Sequence, residues 1–215
     1  MLQVATLDVS VGEIDVMTVD ASLPEKGKSL TIDVYKDMAH RLGCKTSALM
    51  AVGEVEAPFG GFLFDGRVRI LFERHVFSKL TQHKYDSIAS DVSSQTPGGY
   101  KGGAAEWLRL ERAAGLNISD NNLANIASES CSWGKFQLMG YNYDLVDCPD
   151  INNFITTMMS GEQGQLALFG RFIRSTGLAK ELQEQNWAKF ALRYNGPRYQ
   201  MNHYDSKLKF AEAKF

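Results

Sequence analysis

Ile32, Tyr35, Met38, Ala39 and Leu42 recur at the spacing of one helical face, and Gly43 follows as a stop, so a helix is predicted from Thr31 to Leu42. A second helix is expected from Thr46, which can cap it, to about Ala57, because Pro58 disfavours helical backbone before it. The period then changes. In the run Phe62 to Leu71, Asp65-Gly66 stands between strand-forming flanks, a β-hairpin signal. Residues 86–103 read as a Ser- and Gly-rich loop that includes Pro97-Gly98-Gly99-Tyr100. Helical patterns return near 104–114, 119–129, 151–160, 162–175, 186–194 and 203–213. Many helices around one small hairpin make an α+β domain. Residues 1–29 form a short leader with weak strand-like alternation, and the functional domain is placed at 30–215.

Composition narrows the class. The chain has 215 residues, 44% hydrophobic and 22% charged, which is enough for one large domain with a real core. A net charge of −2 argues against general affinity for nucleic acid or anionic lipid. No stretch approaches the roughly 18 apolar residues of a membrane span, so no stable membrane association is expected. The N-terminus lacks a basic start followed by a long apolar core, so no signal peptide is expected. Cys44, Cys131 and Cys148 are odd in number and lack CxxC spacing, as in proteins made in a reducing compartment, and a Cys131–Cys148 bridge after export stays open. His40, His75, His83 and His203 show no metal-ligand spacing, so neither a metal nor another cofactor is expected.

One carboxylate stands out. At about 100° per residue, Glu56 falls on the same face as Leu49, Val52 and Gly53, whereas Glu54 falls between Met50 and Ser47. Apolar surroundings and the negative end of the helix dipole should both raise the pKa of Glu56. A carboxyl group that keeps its proton near neutral pH is what general-acid cleavage of a glycosidic bond requires. An inward Glu at a helix end also commonly serves as a structural hydrogen-bond acceptor, so the phasing needs a second line of support.

That support comes from separated motifs. Val55-Glu56-Ala57 ahead of a glycine-rich turn resembles the catalytic segment of goose-type lysozymes and soluble lytic transglycosylases. Ser132-Trp133-Gly134-Lys135-Phe136-Gln137 resembles their Ser-x-Gly-x-x-Gln motif, and Arg193-Tyr194-Asn195-Gly196-Pro197 their Tyr-Asn-Ala-Gly motif. Over roughly residues 45–212 the chain is more narrowly similar to the N-acetylmuramidase family of phage endolysins. The matching stretches are Glu54-Val55-Glu56 with Gly61-Phe62-Leu63, Ile70 to His75, Pro97 to Tyr100, Ser132 to Gln137 with Gly140-Tyr141-Asn142, Trp187 to Ala191, and Tyr194 to Pro197. One position departs from the pattern: Ala57 stands where the family usually has Ser, so a hydroxyl beside the acid is lost.

The resemblance implies a lysozyme-like fold with a cleft beside the hairpin. A monomer would act there on a peptidoglycan glycan strand, hydrolysing the β-1,4 bond between N-acetylmuramic acid and N-acetylglucosamine. Glu56 would be the acid. Glu73 leads the candidates for a second carboxylate, with ion pairing to an arginine as its other reading, while Asp65 reads as a turn residue and Asp86, Asp91 and Glu129 stay open. Ser132 and Gln137 are expected to place a water or the N-acetyl group, with a helix cap at Ser132 and a tie between loops at Gln137 as the other reading, and Tyr194 and Asn195 to line the cleft floor. Tyr100 and Trp133 can stack on sugars or belong to the core, and His75 reads as a hydrogen-bonded structural residue, with substrate binding or orientation of Glu73 as its other reading. An endolysin would wait in the host cytoplasm until a holin opens the membrane. The rivals are a lytic transglycosylase, which leaves anhydromuramyl ends, a muramidase effector delivered between bacteria, and a wall-binding or structural protein without activity.

Overall fold

The structure, a computed structural model, describes residues 29–117 and 119–215. Apart from Ser29, the leader lies outside the described residues. The helices are α1 (Ile32–Leu42), α2 (Thr46–Glu56), α3 (Arg74–Leu80), α4 (Ala105–Ala114), α5 (Leu123–Glu129), α6 (Ile151–Met159), α7 (Glu162–Ser175), α8 (Ala179–Gln183), α9 (Trp187–Tyr194) and α10 (Tyr204–Glu212). A small antiparallel sheet has the order β1 (Ile70–Phe72), β2 (Cys131–Trp133), β3 (Leu138–Met139). The architecture is mostly helical with a minor sheet, as the α+β reading expected.

Local chemistry explains the ends of the long elements. Thr31 caps α1 by accepting from the Val34 N–H, and Gly43 closes it in the left-handed region at φ 67°. α2 starts at Thr46 as expected, but Lys45 occupies the cap position and gives no side-chain bond. Asp65-Gly66 does form a tight turn, with Phe62 bridged to Val68 and the Leu63 N–H on the Arg67 carbonyl. The downstream half of the expected hairpin behaves differently. Ile70, Leu71 and Phe72 pair with Trp133, Ser132 and Cys131, which stand far along the chain. Helices α3 and α8 and the strands β2 and β3 appear where no period was legible, because each is too short to repeat one.

Two buried cores meet along α7. One gathers Ile70, Phe72, Phe77, Trp133, Leu138, Phe154 and Leu168 beneath the sheet. The other gathers Leu42, Leu49, Val52, Phe136, Leu166, Phe169 and Phe190 from the helices. Leu168 serves the first and Phe169 the second, so α7 is their common wall. α7 also carries Gln165, which is 1% exposed and accepts from the Lys135 N–H at 2.7 Å while donating to the Met158 carbonyl. Gly61 has to be glycine: a Cβ there would lie 1.9 Å from the Gln165 Oε1. This close approach ties the turn after α2 to the β2–β3 turn.

Candidate active site

Ala48, Leu49, Ala51 and Val52 are buried on α2, and Glu56 follows Val52 by one turn on that face. Its side chain is half-buried, and Asn195 Nδ2 donates to its Oε1 at 2.9 Å. Burial pushes the Glu56 carboxyl up to about 7, against the opposing pull of the Asn195 bond and of the Lys207 ammonium. Asn195 ends α9, and its Oδ1 is buried without a hydrogen-bond partner. Half a turn of the amide would present Oδ1 to the same carboxyl oxygen, so Asn195 can donate to the carboxylate and accept from the acid. Glu54 turns the other way and meets Lys214 at 3.4 Å. A cavity of about 440 Å³ lies on that side of α2, lined by Tyr35, Glu54, Lys135 and Glu162 among others, and Glu56 is not part of its wall.

Glu73 closes β1 and stands just ahead of α3 with 14% of its side chain exposed. The Tyr100 hydroxyl reaches both of its oxygens, at 3.1 and 2.8 Å. His75 Nδ1 lies 3.2 Å from Oε2 but out of line for a hydrogen bond, so proximity alone links the pair. The arginine pairing considered for Glu73 is absent among the described residues, and the guanidinium of Arg74 instead holds the carbonyls of Ser90, Thr96 and Pro97. Three of the other candidate carboxylates are occupied elsewhere. Asp65 pairs with Arg67 in the exposed turn, Asp91 with Arg112, and Asp86 accepts from Ser78 and Ser93. Glu129 ends α5, half-buried, with its carboxyl pushed up by burial.

Glu56 belongs to the helical core and Glu73 to the sheet side, and the charge of each acts on Tyr204. Burial pushes its phenol up to about 12, and the negative charges of Glu56 and then Glu73 push the same way. Tyr204 and Lys207 lie three residues apart on α10, with the ammonium 5.6 Å from the ring centroid. The sequence reading missed both, because only the packing of α10 against α2 brings that face to Glu56.

The Ser132–Gln137 motif frames the site from within. Ser132 is 5% exposed, and its hydroxyl donates to Gln137 Oε1 at 2.8 Å. Gln137, at φ 47°, donates its amide to the Gly134 carbonyl. The Tyr194 hydroxyl donates to the Phe136 carbonyl at 2.6 Å, and its ring stacks on Phe190. Ser132, Gln137 and Tyr194 were expected to touch substrate, but these polar atoms are taken up internally. Ser132 and Gln137 brace the β2–β3 turn from within, Tyr194 bolts that turn to α9, and Asn195 at the end of α9 meets Glu56. Trp133 is 1% exposed with its Nε1 on the Ser128 carbonyl, so it is core and cannot stack on a sugar. Tyr100 is 45% exposed and can. All three cysteines are free. Among the described residues no three His, Cys, Asp or Glu side chains group to hold a metal ion, and no helix is long and apolar enough to cross a membrane.

Residues 45–215 match the family model described as N-acetylmuramidase. The crystal structure of the Burkholderia AP3 phage endolysin is similar, with a TM-score of 0.74 and 36% sequence identity, covering 86% of this chain and 70% of that one. No curated protein matches. With the family model matched over most of its length, and a half-buried glutamate at the end of α2 inside the matched region, the chain belongs to the N-acetylmuramidase family.

Proposed function

We propose that this chain is a peptidoglycan hydrolase of the endolysin type, with Glu56 as general acid and Glu73 as the group that activates water. The observation that carries the assignment is the half-buried Glu56 carboxyl, whose pKa near 7 lets it hold a proton at neutral pH and still release it. The catalytic domain is taken as 30–215, and the working unit as a monomer on one glycan strand.

The strand lies between the end of α2 and the β1–α3 junction. Glu56 gives its proton to the oxygen linking the muramyl anomeric carbon to N-acetylglucosamine, and that carbon–oxygen bond breaks with the electron pair leaving on the oxygen. Water attacks the oxocarbenium-like carbon, and Glu73 takes the water's proton. Asn195 bonds the carboxylate left on Glu56 before solvent returns the proton. Tyr100 donates to Glu73 and offers its exposed ring to a sugar, while His75 borders the same carboxylate. Likeness to a phage endolysin supports a role in host-wall lysis; release to the wall through a holin is the route this reading takes.

Mass spectrometry of digested Gram-negative peptidoglycan tests the chemistry. Reducing muramic acid ends, each carrying one added water, are expected, and their loss in Glu56→Gln ties them to this site. Anhydromuramyl ends would overturn hydrolysis in favour of transglycosylation.

A further inference from the structure

Glu106, the second residue of α4, is 0% exposed and takes no part in these proton transfers. A carboxylate out of water persists only where its lone pairs are filled. Here Oε2 accepts from the Phe72 backbone N–H at 3.0 Å and from Arg109 Nη1 at 2.8 Å. Oε1 accepts from the backbone N–H groups of Lys101, at 2.5 Å, and Gly102, at 2.9 Å. Burial pushes this carboxyl up, but the donors outweigh burial and hold it below its ordinary value, so it is charged at neutral pH.

The sources of those donors give Glu106 its meaning. Phe72 immediately precedes Glu73, and Lys101 and Gly102 immediately follow Tyr100. One oxygen therefore grips the strand that carries the second carboxylate, and the other grips the loop that carries its phenol donor. Arg109 Nη1 also donates to the Phe72 carbonyl at 2.9 Å, so both polar groups of that peptide residue are held. The loop itself supplies little stiffness: Gly98, Gly99, Gly102 and Gly103 all have positive φ. Its course is set by Arg74 on the carbonyls of Thr96 and Pro97 at one end and by Glu106 at the other.

We propose that Glu106 is a positioning residue for hydrolysis, a clamp that holds Tyr100 against Glu73. The inference rests on the reading of Glu73 as the water-activating carboxylate. Steady-state kinetics on solubilised, uncross-linked peptidoglycan strands test it with Glu106→Gln, Tyr100→Phe, Glu73→Gln and the Glu106→Gln/Glu73→Gln double variant. A carboxamide at 106 keeps the shape but sets an N–H donor against the donors on one side. Glu106→Gln is expected to lower kcat about tenfold with KM within about twofold, a loss confined to the transition state. Tyr100→Phe should reproduce that split, and Glu106→Gln should cost nothing further once Glu73 is Gln. Wild-type kcat in Glu106→Gln, or the same fold loss with and without Glu73, overturns the clamp while leaving Glu73 in place. Wild-type kcat in Glu73→Gln overturns the role of Glu73, and the clamp falls with it. Should Glu106→Gln lack the wild-type circular dichroism spectrum, Glu106→Asp carries the same expectation, because it keeps the charge and leaves the loop sequence intact while its shorter side chain cannot reach both the Phe72 N–H and the loop donors.

Discussion

Replacing Glu56 with Gln removes a charge from a place where burial resists charge, so it should trade activity for stability. The carboxyl rises from an ordinary 4.5 to about 7 in the folded protein, which at 1.36 kcal/mol per pH unit corresponds to about 3 kcal/mol. The folded state holds this proton more tightly than the unfolded state. Wild type therefore bears no penalty below about pH 4.5, a growing one between 4.5 and 7, and the full penalty above 7. Gln has no proton to lose and bears none at any pH. Asn195 can still donate to the Gln carbonyl, and its unpartnered Oδ1 gains a possible donor. Urea unfolding of both proteins from pH 4 to pH 8 should show the stability difference moving in favour of Glu56→Gln by about 3 kcal/mol across that window. Turbidity loss of outer-membrane-stripped cells should meanwhile fall on the order of 10²–10⁴-fold. A difference that stays flat with pH would refute the reasoning, because it would mean the Glu56 carboxyl is no less hydrated folded than unfolded.

Four further outcomes rest on the same geometry. The kcat/KM profile should fall on its alkaline side through about pH 7, where Glu56 loses the proton it must donate. In Asn195→Ala that limb should move to higher pH, since the lost bond had favoured the carboxylate, and a limb left in place would separate Asn195 from the acid. Tyr194→Phe strands the Phe136 carbonyl and should cost about 1–3 kcal/mol in urea unfolding, with the alkaline limb unmoved. Gly61→Ala drives a methyl into Gln165 and should lower the thermal midpoint sharply, whereas Gly66→Ala, with nothing within 4 Å of the added carbon, is limited to the strain of its positive φ.

The sequence by itself determined the long helices, the Asp65-Gly66 turn and the orientation of Glu56 relative to Glu54. Each of these is local: a helix bonds residues four apart, and its apolar face repeats often enough in α1, α2 and α7 to be counted. Phasing alone did not separate a catalytic Glu56 from a structural one; the ordered series of motifs from Glu54 to Pro197 pointed to the family that residues 45–215 match, and the acid role of Glu56 is the proposal built on it. Only the tertiary structure decided the rest. Ile70 pairs with Trp133 instead of with its near neighbours, Asn195 crosses 139 positions to reach Glu56, and Tyr100 crosses 27 to reach Glu73. Ser132, Gln137 and Tyr194 look like substrate contacts as residue types, and the fold gives their hydroxyl and amide groups partners within the protein. The physical reason is the same throughout. Strand partners, hydrogen-bond partners and the desolvation that lifts a carboxyl are sums over neighbours from distant parts of the chain, and no local period records them.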